Sequence, residues 1–145
     1  MQISWTQLEQ GLALPDEEAT IAAGNWIGAH IQPNRTITLE GDLGDGKTTL
    51  AKGIAAGWGV KETVKSPTFH YFLSYTGARG QLIHLDAYRL ETPDDYDSLC
   101  IEEILTDPWL LIVEWPQNVG AGLLGPTTAF SIKPGPNRGR TLQRI

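Results

Sequence analysis

Eight contiguous residues constrain this chain more than any other feature: Gly41-Asp42-Leu43-Gly44-Asp45-Gly46-Lys47-Thr48. They satisfy G-x-x-x-x-G-K-[ST], and each position has a physical reason. The glycines let the backbone turn tightly with its N–H groups pointing inward, which makes a concave nest for an anion. A helix opened by such a loop adds its N-terminal amides and dipole to the same anion. Lys47 is long enough to reach the β- and γ-phosphates of a nucleotide, and the Thr48 hydroxyl is a hard oxygen ligand for Mg²⁺. The context agrees. Thr36 to Glu40 alternates apolar and polar residues as a strand does, and Leu50, Ile54 and Trp58 recur at four-residue intervals from about Lys47 as in a helix, with Gly57 and Gly59 expected to end it. A strand, a glycine-rich turn and a helix in this order imply binding of a nucleoside triphosphate.

The rest of the chain reads as alternating strands and helices. Pro15, Asp16, Glu17 and Glu18 form a helix start, followed by Ala19, Ala22, Ala23, Trp26, Ile27 and His30 as an apolar stripe, with Pro33 and Asn34 as the break. After an irregular stretch to Pro67, Phe69 to Tyr75 and Gln81 to Asp86 read as strands joined through residues 76–80 into a hairpin. Thr92-Pro93-Asp94-Asp95 starts a helix bounded by Pro108. Trp109 to Val113 is a short apolar run of the kind covered on both faces, and Thr127 to Lys133 and Arg140 to Ile145 are weaker strand candidates. The expectation is an α/β fold in one domain over 1–145: a P-loop NTPase with a mostly parallel central sheet, an antiparallel hairpin at its edge, and helices on both faces.

Composition narrows the function classes. The 145 residues carry a formal charge of −6 and one cysteine. A single cysteine closes no intrachain disulfide, and no Cys/His spacing suits zinc. No apolar run approaches the roughly 20 residues that span a bilayer. The first basic residue is Arg35, so no basic N-terminal region resembles a signal or transit peptide, and a cytoplasmic location is expected. The charge is segregated. Residues 91–132 hold eight acids and no Lys or Arg, whereas the last thirteen residues carry Lys133, Arg138, Arg140 and Arg144. An acidic balance argues against a direct grip on nucleic acid. Such blocks are ordinarily solvated surface, with a charged partner as the alternative.

Two carboxylates end predicted strands. Glu114 follows the Trp109–Val113 run, where it would hold or polarise a water against the γ-phosphate, and Asp86 ends the Gln81–Asp86 strand, where it would coordinate Mg²⁺ directly or through water. Thr68, in Ser66-Pro67-Thr68-Phe69, occupies a place where P-loop switch proteins keep a threonine that senses γ-phosphate and Mg²⁺. Arg89 either stabilises transition-state charge or pairs with the acidic block. Trp115, beside Pro116, either packs in the core or stacks on a base or a partner.

Four stretches taken in order resemble one family, the bacterial TsaE proteins (also called YjeE): Gly41-Asp42-Leu43-Gly44-x-Gly46-Lys47-Thr48-Thr49, Ser66-Pro67-Thr68-Phe69, His84-Leu85-Asp86-x-Tyr88-Arg89 and Glu114-Trp115-Pro116. The resemblance runs from about Leu14 to Pro116. It implies a Mg²⁺-dependent ATPase that supports threonylcarbamoyladenosine formation in tRNA without modifying tRNA itself, working with the partners TsaD and TsaB. It implies nucleotide contacts from Gly41, Asp42, Leu43, Gly44, Asp45, Gly46, Lys47, Thr48, Thr49 and Trp115. It further implies catalytic roles for Lys47, Thr68 and Glu114, and a metal site at Thr48, Asp86 and Glu114. The sequence departs from the family in Asp45, in Gln117 and in the basic tail 134–145, which has no assigned role. Two other classes compete: a P-loop small-molecule kinase, disfavoured because residues 90–132 hold no basic side chain for a lid, and a nucleotide-binding module without chemistry.

Overall fold

Strand alternation and a few backbone contacts explain how this sequence builds one sheet with unlike faces. The structure, a computed structural model, describes every residue except Met1, Leu43, Asp45, Thr68, Phe69 and Ala121. In chain order the elements are α1 (Trp5–Gln10), β1 (Leu12–Leu14), α2 (Glu17–His30), β2 (Arg35–Glu40), α3 (Lys47–Trp58), β3 (Phe72–Gly77), β4 (Gly80–Asp86), α4 (Pro93–Leu99), α5 (Ile101–Ile104), β5 (Trp109–Glu114), β6 (Thr127–Pro134) and β7 (Arg140–Arg144). The strands form a seven-stranded sheet in the order β1-β7-β6-β2-β5-β4-β3. Its four central strands, β6, β2, β5 and β4, are parallel, and the β3–β4 hairpin supplies the expected antiparallel edge. A second antiparallel edge, β7 and β1, closes the other side. Among the described residues no helix is long and apolar enough to cross a membrane.

Alternation sends Leu82 of β4 and Leu110 and Ile112 of β5 into a core shared with α2 and α3. Ile83, Leu85, Leu111 and Val113 face the opposite way, toward Tyr96 of α4 and Ile101 of α5. Helices therefore cover both faces, and the central strand β2 is buried on both sides from Thr36 to Leu39.

The packing of α2 on α3 differs from the stripe read in the sequence. The side turned inward is Thr20, Ala23, Gly24, Ile27 and Gly28, whereas Ala22 and His30 are exposed and Trp26 is half-buried against Trp5. The reason is glycine: a Cβ built on Gly28 would lie 2.0 Å from the Ile54 carbonyl oxygen, and one on Gly57 would lie 2.1 Å from that of Asn25. The two backbones touch, so small residues define the contact and large apolar ones sit beside it. Gly57 thus lies inside α3 as part of this seam, and Gly59 alone, in the left-handed region at φ 100°, ends the helix.

Other boundaries moved for local reasons. Asp16 caps α2, its carboxylate accepting from the Ala19 amide at 2.8 Å. Residues 4–14, given no elements from sequence, form a one-and-a-half-turn helix and a three-residue strand that are too short to carry a periodic signal. β3 starts at Phe72; the expected start, Phe69, lies outside the described residues. Its hairpin is tight, with Gly77 paired to Gly80 and only Ala78 and Arg79 in the turn. From that turn Arg79 donates to the Gly28 and Ile31 carbonyls at 2.5 and 2.7 Å and stacks on Trp58, which fastens the hairpin to the C-terminal end of α2. The single helix expected after Pro93 is two short ones, split at Cys100, which takes the left-handed conformation. The strand expected over Arg140 to Ile145 is β7, so most of the basic tail belongs to the sheet: Leu142 is fully buried, and Arg144 lies over Trp5 and 3.8 Å from Glu9.

Candidate functional site

β2 delivers the glycine-rich loop to one edge of the sheet, and strand register brings two carboxylates to the same edge. Leu39 pairs with Glu114, and Glu114 pairs in turn with Asp86. The three strands β2, β5 and β4 therefore end at one level, next to the loop that leaves β2. The loops beyond the carboxylates are tied together, since the Ala87 amide donates to the Glu114 carbonyl and the Asn118 side chain donates to the Ala87 and Tyr88 carbonyls.

Gly46 holds a left-handed conformation at the start of α3, and no side chain caps that helix. Lys47, the first helical residue, is buried. Its Nζ donates to the carbonyls of Gly41 (2.5 Å) and Asp42 (2.7 Å) and lies 4.3 Å from the Trp115 ring centroid. The ammonium thus spans the loop from inside, beneath the space an anion would fill. Thr48 Oγ1 donates to Glu114, at 3.2 Å to Oε1 and 3.4 Å to Oε2. Glu114 is only 3% exposed, and its Oε2 lies 2.6 Å from His84 Nε2. Asp86, half-buried, accepts from the Tyr88 amide at 3.0 Å. Burial, with the nearby Glu114 charge, raises the Asp86 carboxyl above its ordinary range against the lowering effect of that amide bond.

These groups surround a cleft of about 430 Å³, lined among others by Lys47, Thr48, Ser66, Asp86, Glu114 and Trp115. Gly44, Gly46 and Thr49 line it too, and on the other flank of the loop they line a second hollow beside Asp16, Thr20 and Arg140. The structure therefore brings together Gly44, Gly46, Lys47, Thr48, Thr49, Asp86, Glu114 and Trp115, with Gly41 and Asp42 bound to the Lys47 ammonium. Leu43, Asp45 and Thr68 lie outside the described residues. Trp115 takes a left-handed conformation and meets the exposed Tyr88 at 5.0 Å between ring centroids. Arg89 turns elsewhere, over the Tyr71 ring at 5.0 Å.

The oxygen donors suit Mg²⁺: one hydroxyl and two carboxylates, hard ligands in a site that leaves room for phosphate and water. Among the described residues no group of three or more His, Cys, Asp and Glu side chains is arranged as an all-protein metal cage. Two residues already named in the sequence make contacts that sequence reasoning did not assign. Arg140 donates from β7 to the Gly44 carbonyl at 3.0 Å, across 96 positions of sequence. His84 shares the face of Asp86 by strand alternation, two residues before it, and that parity is the signal that could have found it.

Comparison with known proteins follows the same lines. A family model described as "Threonylcarbamoyl adenosine biosynthesis protein TsaE" matches residues 14–142. The tRNA threonylcarbamoyladenosine biosynthesis protein TsaE of Nostoc sp. is 40% identical over 112 residues, covering 73% of this chain and 67% of the relative. Its Bacillus subtilis counterpart is 38% identical over 109 residues, covering 75% of this chain and 66% of the relative. The chain thus spans about two thirds of the length of these relatives. Among solved structures, Bacillus subtilis YdiB superposes with a TM-score of 0.73 at 27% identity, over 92% of this chain and 82% of that one.

Proposed function

This chain belongs to the TsaE family, and we propose that it binds ATP with Mg²⁺ and hydrolyses it in support of threonylcarbamoyladenosine formation in tRNA. In this reading it acts in the cytoplasm as a single P-loop domain with TsaD and TsaB, which perform the transfer. It makes no direct contact with tRNA and engages no membrane.

One observation carries the proposal: Lys47, Thr48, Asp86 and Glu114 converge on one cleft at the end of three adjacent strands. Lys47 exchanges its loop carbonyls for phosphate oxygens, to which it makes shorter, charge-assisted bonds. The loop from Gly41 to Thr49, Leu43 and Asp45 included, wraps the phosphates. Thr48 and Asp86, with Glu114 beside them, are the residues that would hold Mg²⁺. The cation would supply positive charge against the developing charge on the phosphate oxygens. Glu114 orients the attacking water, Thr68 takes the switch position, and Trp115 closes over the nucleotide.

Single-turnover release of phosphate from Mg-ATP, measured alone and with TsaD and TsaB, tests the reading. Slow release alone and faster release with the partners is expected. Transfer of the phosphoryl group to a small acceptor would make the protein a kinase, and no turnover in any mixture would reduce it to a nucleotide-binding module. Lys47→Ala should weaken ATP binding by roughly a hundredfold, about 2.7 kcal/mol, in a fluorescent-nucleotide titration, since it removes two or more charged hydrogen bonds. Parent-like affinity would move the phosphate site elsewhere.

A further inference from the structure

Glu114 is held on both oxygens, and one of its holders lies outside every role proposed so far. His84 sits in β4 opposite Ile112 of β5, and its ring reaches along the strand to Glu114, with Nε2 2.6 Å from Oε2. The ring is completely buried, and among the described residues Nδ1 has no hydrogen-bond partner. Glu114 is therefore the one polar attachment of His84 among those residues. An apolar side chain would fill this place without stranding a ring nitrogen, but it would leave the buried Glu114 Oε2 without its 2.6 Å partner. What the imidazole supplies is a donor: in the tautomer that carries its proton on Nε2, that N–H points at Oε2 of the carboxylate.

The geometry on the other oxygen gives this contact a consequence. Glu114 Oε1 accepts from Thr48, the residue that opens the first turn of α3 in the cleft. A glutamate tethered at Oε2 keeps Oε1 aimed there, whereas an untethered one has two-fold terminal rotation and several rotamers open to it. We infer that His84 is the positioning residue for Glu114, its Nε2–H locking the carboxylate rotamer so that the free edge faces Thr48 and the reacting water. The inference rests on the ATPase reading above for its kinetic consequence, though not for the geometry itself. Lys47 and the loop hold the phosphates without His84, so nucleotide affinity should be nearly independent of it.

Four variants test this with the full chain and its partners. His84→Leu should lower kcat by about 10- to 100-fold, the usual consequence of removing a supporting partner, with Kd for ATP within about threefold. His84→Gln, whose amide nitrogen falls near the lost Nε2, should recover most of the rate. His84→Asn, too short to reach Glu114, should not, and it replaces the leucine variant if that one fails to fold. In a Glu114→Gln background His84→Leu should cause no further loss, because its effect passes through Glu114. An unchanged kcat in His84→Leu overturns the inference. So does a glutamine variant as slow as asparagine, or a full additional loss in the Glu114→Gln background. If the parent itself releases no phosphate, the ATPase reading fails and the ring geometry is still decided by ¹⁵N resonances of His84. A protonated Nε2 whose signal moves in Glu114→Gln supports the tether, and an unmoved signal removes it.

Discussion

The two faces of the sheet are packed by different means. On one, α2 and α3 meet backbone to backbone through Gly24, Gly28, Gly53 and Gly57, with Arg79 and Trp58 clamping the hairpin onto the pair. On the other, seven- and four-residue helices lie over Ile83, Leu85, Leu111 and Val113, and the exposed Cys100 in a left-handed conformation separates them. The first arrangement leaves no slack, and its helix begins with Lys47 and Thr48. The second tolerates a break between two helices. The tight packing lies under the helix that carries Lys47 and Thr48, and the acid-rich face is the more loosely built of the two.

The largest test of this contrast is Gly28→Ala. In a solvent-exposed helix the change stabilises by about 1 kcal/mol. Here the new methyl would meet the Ile54 carbonyl, so α2 and α3 must separate, and a net loss of about 2–4 kcal/mol is expected in urea denaturation. ATP affinity should fall as well, because α3 carries Lys47. A stabilised variant would end the argument for close contact. On the other face Cys100→Gly should do the opposite. Relief of a left-handed residue at φ 54°, partly offset by greater freedom when unfolded, predicts a gain of about 0.5–1 kcal/mol. ATP affinity should stay unchanged. A change in affinity from that position would show that the two faces are coupled.

The same contrast explains what could be read in the sequence. The strand–turn–helix around the glycine-rich loop is legible because its residues are contiguous, and the strand-end positions of Asp86 and Glu114 are legible because each closes a strand whose apolar run announces it. The α2–α3 seam was not, since hydrophobic periodicity weighs Ala22 and Trp26 and gives nothing to Gly24 or Gly28, which make the contact. Gly57 reads as a stop for a related reason: glycine signals both helix ends and close approach, and only the neighbouring helix decides between them. His84 and Arg140 reach partners 30 and 96 residues away, so the sequence marks at most the face of His84 and not what either residue touches. The C-terminal strand is only weakly announced in the sequence, at Arg140 to Ile145, because the charge of its arginines outweighs the single buried Leu142 that anchors it.

The smallest expected effect lies at the start of α4, on the looser face. Asp95 accepts from the Glu91 and Thr92 amides at 2.8 and 3.0 Å, and these two bonds hold its carboxyl below the ordinary range on a side chain that is partly open to solvent. A carboxylate with a folded pKa below its unfolded one binds fewer protons in the folded state. Its contribution is complete above the unfolded value, about 3.9, and is lost as pH falls through the folded value. Asp95→Asn keeps one acceptor oxygen and removes the charge. Its melting temperature should therefore lie slightly below the parent's at pH 7, and the gap should close as both are acidified below about 4. A gap that persists at low pH would mean that hydrogen-bond geometry, rather than charge, holds the helix start. A gap as large as that of Gly28→Ala would mean that this face is no looser than the other.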